Sequence, residues 1–85
     1  MAHRIELTPR AKRDLKKLPG DARAKIQPHL DALALEPRPH GVSKLEDETN
    51  LWRIRVGAHR ILFQVHDEIL LVLVVKIADR REAYR

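Results

Sequence analysis

No cysteine occurs among the 85 residues. That absence rules out a disulfide framework and thiolate chemistry, and it makes a reducing cytoplasm the expected compartment. No apolar stretch approaches the ~20 residues that cross a bilayer. Met1-Ala2-His3-Arg4 runs straight into a strand-like segment, so neither a membrane span nor a signal peptide is expected. Repeats and low-complexity tracts are missing too. The five histidines, His3, His29, His40, His59 and His66, lack metal-ligand spacing, and neither a metal nor another cofactor is expected. The length leaves room for one domain, residues 1–85. A chain of this size buries only about 60% of its unfolded surface, so its core must be modest. Acidic residues are outnumbered, 12 against 17 Lys plus Arg, for a formal net charge of +5 and a pI ≈ 10.1. A basic excess on a small domain favours a polyanion such as nucleic acid, or an acidic protein, without choosing between them.

The most patterned stretch is residues 51–84, LWRIRVGAHRILFQVHDEILLVLVVKIADRREAY. Trp52, Ile54 and Val56 alternate with Arg53 and Arg55. Successive side chains of a strand point to opposite faces, so the two arginines share one face and the apolar set the other. Gly57-Ala58 is a two-residue hairpin turn, with glycine at the first central position as a type II′ turn requires. A second strand follows over residues 59–66, with Ile61, Phe63 and Val65 on one side and Arg60 on the other. By the same parity His59 points away from Arg60. Asp67-Glu68 makes a further turn. Residues 69–78 form a nearly unbroken apolar run that reads as a central strand covered on both faces. Arg80, Arg81 and Tyr84 come just after it.

Ahead of this antiparallel meander, residues 3–7 (HRIEL) alternate as a short strand. Thr8-Pro9 starts a helix, threonine as cap and proline in the first turn, where its missing N–H costs nothing. Ala11, Leu15 and Leu18 form a narrow apolar stripe, ending at Pro19-Gly20 and surrounded by Arg10, Lys12, Arg13, Lys16 and Lys17. Asp21 is the expected cap of a second helix with the stripe Ile26, Leu30 and Leu33. Pro28 falls inside it, at a cost of about 3 kcal/mol for an interior proline, and predicts a kink or a break into two helices. Residues 36–50, EPRPHGVSKLEDETN, connect back to the meander. Residues 42–45 extend the next strand, and Glu46-Asp47-Glu48 makes an acidic tip. The order β-α-α-β-β-β, with both helices on one face of a mainly antiparallel sheet, is an α+β fold.

This order, with LWRIRVGAHRILFQV and VVKIADRREAYR, resembles the RelE/ParE superfamily of bacterial toxins, the RelE branch more than the ParE branch. The resemblance spans essentially the whole chain and is strongest from Lys44 onward. It implies the toxin of a toxin–antitoxin pair, with a small acidic antitoxin as partner. It further implies a ribosome-dependent endoribonuclease that cuts translated mRNA in the decoding site, through attack of a ribose 2′-hydroxyl on the neighbouring phosphate. Arg53 and Arg55 stand where RelE-like toxins carry a basic pair. Arg60 matches their phosphate-binding arginine, Arg80 the arginine after the last strand, and Tyr84 the C-terminal tyrosine that stacks on a base.

Those residue types suit the chemistry. In-line attack builds charge on the phosphoryl oxygens, and guanidinium groups stabilise it through paired hydrogen bonds. Arg60 is expected to be an exposed, rigid phosphate grip. Arg10, Lys12, Arg13, Lys16, Lys17, Lys44 and Arg81 are candidate RNA contacts, since phosphate attraction needs only clustered charge. A general base is missing from the pattern: arginine is a poor proton acceptor, and no histidine adjoins Tyr84. Orientation by the ribosome would have to stand in for it, and orientation alone supplies ~7–11 kcal/mol of some barriers. The bland reading of alternating arginines is a solvated strand face. Two further function classes fit the same fold: a ParE-like inhibitor of DNA gyrase, and a non-catalytic module that serves only to bind an antitoxin as co-repressor.

Overall fold

The computed structural model describes residues 2–38, 43–46 and 50–79, with the backbone alone at residues 45 and 46. The elements are β1 (Arg4–Leu7), α1 (Pro9–Lys17), α2 (Gly20–Leu35), β2 (Ser43–Glu46), β3 (Leu51–Val56), β4 (His59–His66) and β5 (Leu71–Asp79), with a 3-10 turn at Asp67–Ile69. The five strands make one sheet in the order β1-β5-β4-β3-β2. β1 runs parallel to β5 and every other pair is antiparallel. The α+β arrangement matches the expectation from sequence. The strand after the helices is separate, however: β2 lies antiparallel beside β3 as an edge strand, not as an extension of it.

Helix formation follows the local chemistry. Thr8 caps α1, its hydroxyl accepting from the Ala11 backbone N–H at 3.1 Å, and Pro9 opens the helix. Pro19, not Asp21, occupies the cap position of α2. Gly20 is already helical there, and Asp21 instead contributes a negative charge to the first turn, where it opposes the helix dipole favourably. Nor does Pro28 break α2, which runs through it from Gly20 to Leu35. Pro28 lies on the exposed side, so its ring disturbs no packed surface. Ile26, Leu30 and Leu33 are buried on the opposite side. The hairpin turn is as expected for type II′, with positive φ at Gly57 (59°) and not at Ala58. The strand expected from residue 69 begins two residues later, because Leu70 takes a left-handed conformation after the 3-10 turn and leaves Ile69 exposed.

Pairing register fixes which side chains share a face. Ile54, Ile61 and Ile77 lie in one row; Trp52, Phe63 and Val74 lie in another. With Val56, Val65, Val72, Ile5 and Leu7 these form the side on which Ala11, Ile26, Leu30 and Leu33 pack. Phe63, Ile61, Val72 and Val74 are fully buried there, each contributing roughly 1.5–3 kcal/mol of transfer free energy. Both helices occupy this one side. β5 is therefore not covered on both faces: Leu71 and Leu73, on its other side, are half-buried.

α1 is tied to β5 where β1 has ended. The Thr8 backbone N–H donates to the Val74 carbonyl at 2.9 Å, the Thr8 hydroxyl to the Val75 carbonyl at 3.0 Å, and the Ile77 N–H donates to Asp14 Oδ2 at 3.1 Å. At the other end of the sheet, Arg38 donates to both Asp67 oxygens (3.4 and 3.0 Å) and lies 5.1 Å from the Trp52 ring centroid. Trp52 Nε1 donates to Asn50 Oδ1, and Asn50 Nδ2 donates to the Val65 carbonyl, which holds Asn50 in its left-handed conformation.

Asp67 is held below the ordinary carboxylate range by the Arg38 guanidinium first and by His3 second, with His3 Nε2 at 3.1 Å. A carboxylate whose folded pKa is depressed stabilises the fold above its unfolded pKa, near 3.9, and loses that contribution as pH falls through the folded value. Asp67→Asn should therefore melt slightly below the wild type at neutral pH, by an amount that added salt shrinks. The gap should close in acid below the carboxylate range, as measured by thermal melts across pH. An equal gap at neutral and acid pH would assign the effect to shape and not to charge.

Candidate nucleic-acid interface

The sheet side away from the helices carries a different set of residues. Arg55 pairs directly with Arg60, which pairs with Ala78; Arg53 pairs with Leu62, which pairs with Lys76. Directly opposite residues share a face, so Arg53, Arg55, Arg60 and Lys76 lie together on one side of three adjacent strands. Arg60 is the hub. It stands opposite Arg55 and diagonal to both Arg53 and Lys76, at the ~7–8 Å of diagonal neighbours.

Their environments differ. Arg55 is exposed, Arg53 and Lys76 are half-buried, and Arg60 is only 6% exposed. Burial of Arg60 corrects the expectation of an exposed arginine: on β4, with a strand on either side, its stem has neighbours in both directions. Directly opposite side chains of an antiparallel pair are near neighbours, with Cβ atoms about 4.5–5.5 Å apart. Arg55 and Arg60 thus set two guanidinium groups side by side, an arrangement that favours an anion lying over the pair. Such a face can hold phosphoryl oxygens, but among the described residues no histidine or carboxylate stands opposite any of the four cations in the strand register. His59 pairs with Val56 and Asp79 on the helix side, and His66 is at the far end of β4, paired with Leu71.

The other predicted site residues fall elsewhere. Lys44 pairs with Trp52 and lies over its ring, Nζ 5.2 Å from the centroid, on the helix side. It does not join the arginine face. Arg10, Lys12, Arg13, Lys16 and Lys17 lie along α1, also on the helix side, with Arg10 Nε paired to Asp14 Oδ1 at 3.1 Å. They make a second basic surface, distinct from the first. Arg80, Arg81 and Tyr84 lie outside the described residues, as does most of the acidic tip. Two clefts, both lined by His59, open on the helix side: one of about 180 Å³ between the start of α2 and the β3–β4 turn, and one of about 240 Å³ between the end of α1 and β5. They are smaller than the usual small-molecule site and lie away from the arginines.

Lys76 is the residue that sequence reasoning missed. Val72 and Val74 face the helices, and strict alternation would send Lys76 the same way. Leu62 pairs with Lys76 while Phe63 pairs with Val74, so Val75 is an extra residue on β5, a β-bulge. Beyond it parity is reversed: Ile77 enters the core and Lys76 turns to the arginine face. A lone charge inside an apolar run was the only signal.

Arg60→Ala should lower the melting temperature by more than Arg55→Ala, whose effect should stay within ~0.5 kcal/mol. Arg60→Met, which keeps the stem and drops the charge, should recover most of the loss. Equal stability of the two alanine variants would show that the buried stem contributes nothing.

The family model for the ParE toxin of type II toxin–antitoxin systems, parDE, matches residues 5–84. Toxin RelG of Mycobacterium tuberculosis is 28% identical over 86 residues, covering 100% of this chain and 99% of RelG. Among solved structures, the archaeal RelE–RelB complex from Pyrococcus horikoshii OT3 contains a chain 26% identical, with a TM-score of 0.85 over 98% of this chain and 100% of that one. The isolated E. coli RelE toxin is 25% identical, with a TM-score of 0.81 over 98% of this chain and 92% of that one. The chain belongs to the ParE toxin family of type II toxin–antitoxin systems and is a RelE-like toxin of the RelE/ParE superfamily.

Proposed function

We propose that this toxin is a ribosome-dependent endoribonuclease acting on translated mRNA, with the arginine face as its phosphate-binding surface. The observation that carries the reading is the facing pair Arg55–Arg60 with Arg53 beside it, on the sheet side that neither helix covers. Positive charge clustered on one open sheet face attracts the phosphates of a polyanion.

In the proposed reaction the ribose 2′-oxygen attacks the adjacent phosphorus in line, and the 5′-oxygen of the next nucleotide leaves. Charge builds on the non-bridging oxygens at the moment of transfer. Arg60, held by its strand neighbours, binds those oxygens with two parallel N–H donors, Arg55 donates to them from the facing position, and Arg53 adds fixed positive charge nearby. Arg80 and Tyr84 complete the set, the arginine as a further charge and the tyrosine as a stacking platform for a base. Arginines do not accept the 2′-proton readily. Orientation of the message by the ribosome therefore supplies much of the rate. The cations of α1 suit contact with ribosomal RNA phosphates, a role that needs charge and no exact geometry. Work in the cytoplasm follows from a ribosomal target.

A cognate antitoxin is the second partner. The structural relative from P. horikoshii is a RelE–RelB complex, and a chain with a formal net charge of +5 suits an acidic, extended segment that orders as it binds.

The family model is described by ParE, and this favours the gyrase reading as the alternative. The experiment that separates them is primer extension on a translated message with purified ribosomes, beside a gyrase supercoiling assay. Wild-type toxin should leave codon-positioned cuts and leave gyrase active. Arg55→Ala, exposed and neutral for stability, should slow cutting roughly 10²–10³-fold, as loss of one transition-state donor does. Arg60→Lys should retain part of the activity, because a point charge cannot reproduce a two-pronged grip. Intact message with inhibited gyrase would transfer the assignment to the ParE-like activity.

A further inference from the structure

We propose that Lys76 is a fourth phosphate-gripping residue of the arginine face, brought there by the bulge at Val75; the proposal rests on the RNA-cleaving reading above.

The bulge is held, not incidental. The carbonyls of Val74 and Val75 accept from the backbone and hydroxyl of Thr8, and the Ile77 N–H donates to Asp14. These hydrogen bonds from α1 and its cap fix the segment that would otherwise lose its ladder partners. The consequence is one-sided: a lysine leaves the helix side and joins three arginines. An ammonium diagonal to Arg60 and across Leu62 from Arg53 adds a fourth positive charge to the face. Among the described residues no carboxylate forms an ion pair with Lys76: Asp67 is taken by His3 and Arg38, Glu6 by Arg4 and Asp14 by Arg10. Lys76 is also half-buried, so its charge is screened less than that of an exposed lysine.

Position suggests its task. Arg53 and Lys76 flank Leu62 on β3 and β5, about two strand spacings or ~10 Å apart. A strand of RNA crossing the sheet over Arg60 therefore meets a cation on each side. Arg60 takes the scissile phosphate, and Lys76 takes a neighbouring one, which fixes the direction of the chain at the cut. Lys76 acts as a compact charge with three rotatable donors and no fork. The bulge also keeps a lysine out of the core, and only function distinguishes that packing role from phosphate binding.

Binding of purified full-length toxin to a short single-stranded RNA should be followed by fluorescence anisotropy over a series of salt concentrations, with cleavage on programmed ribosomes measured alongside. Removing one phosphate-binding cation lowers the slope of log K against log salt by about 0.7 for single strands. Lys76→Met should lower the slope by that amount and slow cleavage roughly tenfold or more, with an unchanged melting temperature; Lys76→Gln is the second neutral variant should the first fail to fold. Lys76→Arg should restore both slope and cleavage. Wild-type slope and cleavage in both neutral variants, while Arg55→Ala lowers both, would overturn the Lys76 assignment and leave the reading of the face intact. Weaker antitoxin binding with an unchanged RNA slope would assign Lys76 to the protein partner instead, which also overturns it. Absence of both salt-dependent RNA binding and cleavage on programmed ribosomes by the wild type would remove this proposal together with the reading beneath it.

Discussion

The structure depends on how α1 completes the edge of β5. β1 covers that edge only as far as Val74, and beyond it backbone groups of a central strand need other partners. Thr8 and Asp14 take over, one as the last act of a helix cap and the other from the second turn. A buried backbone group without a partner costs ~1–3 kcal/mol, so these bonds do more than orient a helix. They hold the bulge at Val75, and the bulge decides which residues of β5 enter the core. Ile77 packs under the helices because of it, and Lys76 does not.

Two basic surfaces follow, one on each side of the sheet. On the helix side, Arg10 is paired to Asp14, Arg38 to Asp67 and the Trp52 ring, and Lys44 lies over the same ring, beside the other cations of α1. On the open side, four cations stand on three adjacent strands with Arg60 at the centre. Positive charge gathered on one face in this way favours an anion.

Much of this was legible in the sequence. Period-two alternation in LWRIRV and HRILFQV assigned β3 and β4 and their faces, and Gly57-Ala58 fixed the register that sets Arg55 against Arg60. Stripes at Ala11 and at Ile26, Leu30 and Leu33 gave the helices. What failed did so where one residue has long-range consequences. A bulge is invisible to alternation, so Lys76 was overlooked. Burial of Arg60 depends on neighbours from β3 and β5, which no local pattern encodes. Pro28 reads as a break because propensity is local, yet the packed stripe on the opposite side of α2 carries the helix through it.

The central claim is that the helix-free face of the sheet meets the message. The most direct measurement is a structure of the toxin on a ribosome whose mRNA carries a 2′-O-methyl group at the cut, which blocks attack and traps the substrate. The account predicts the scissile phosphate over Arg60, within hydrogen-bond reach of its guanidinium, with α1 turned toward ribosomal RNA. A message lying against the helix side, or a toxin bound outside the decoding site, would contradict it.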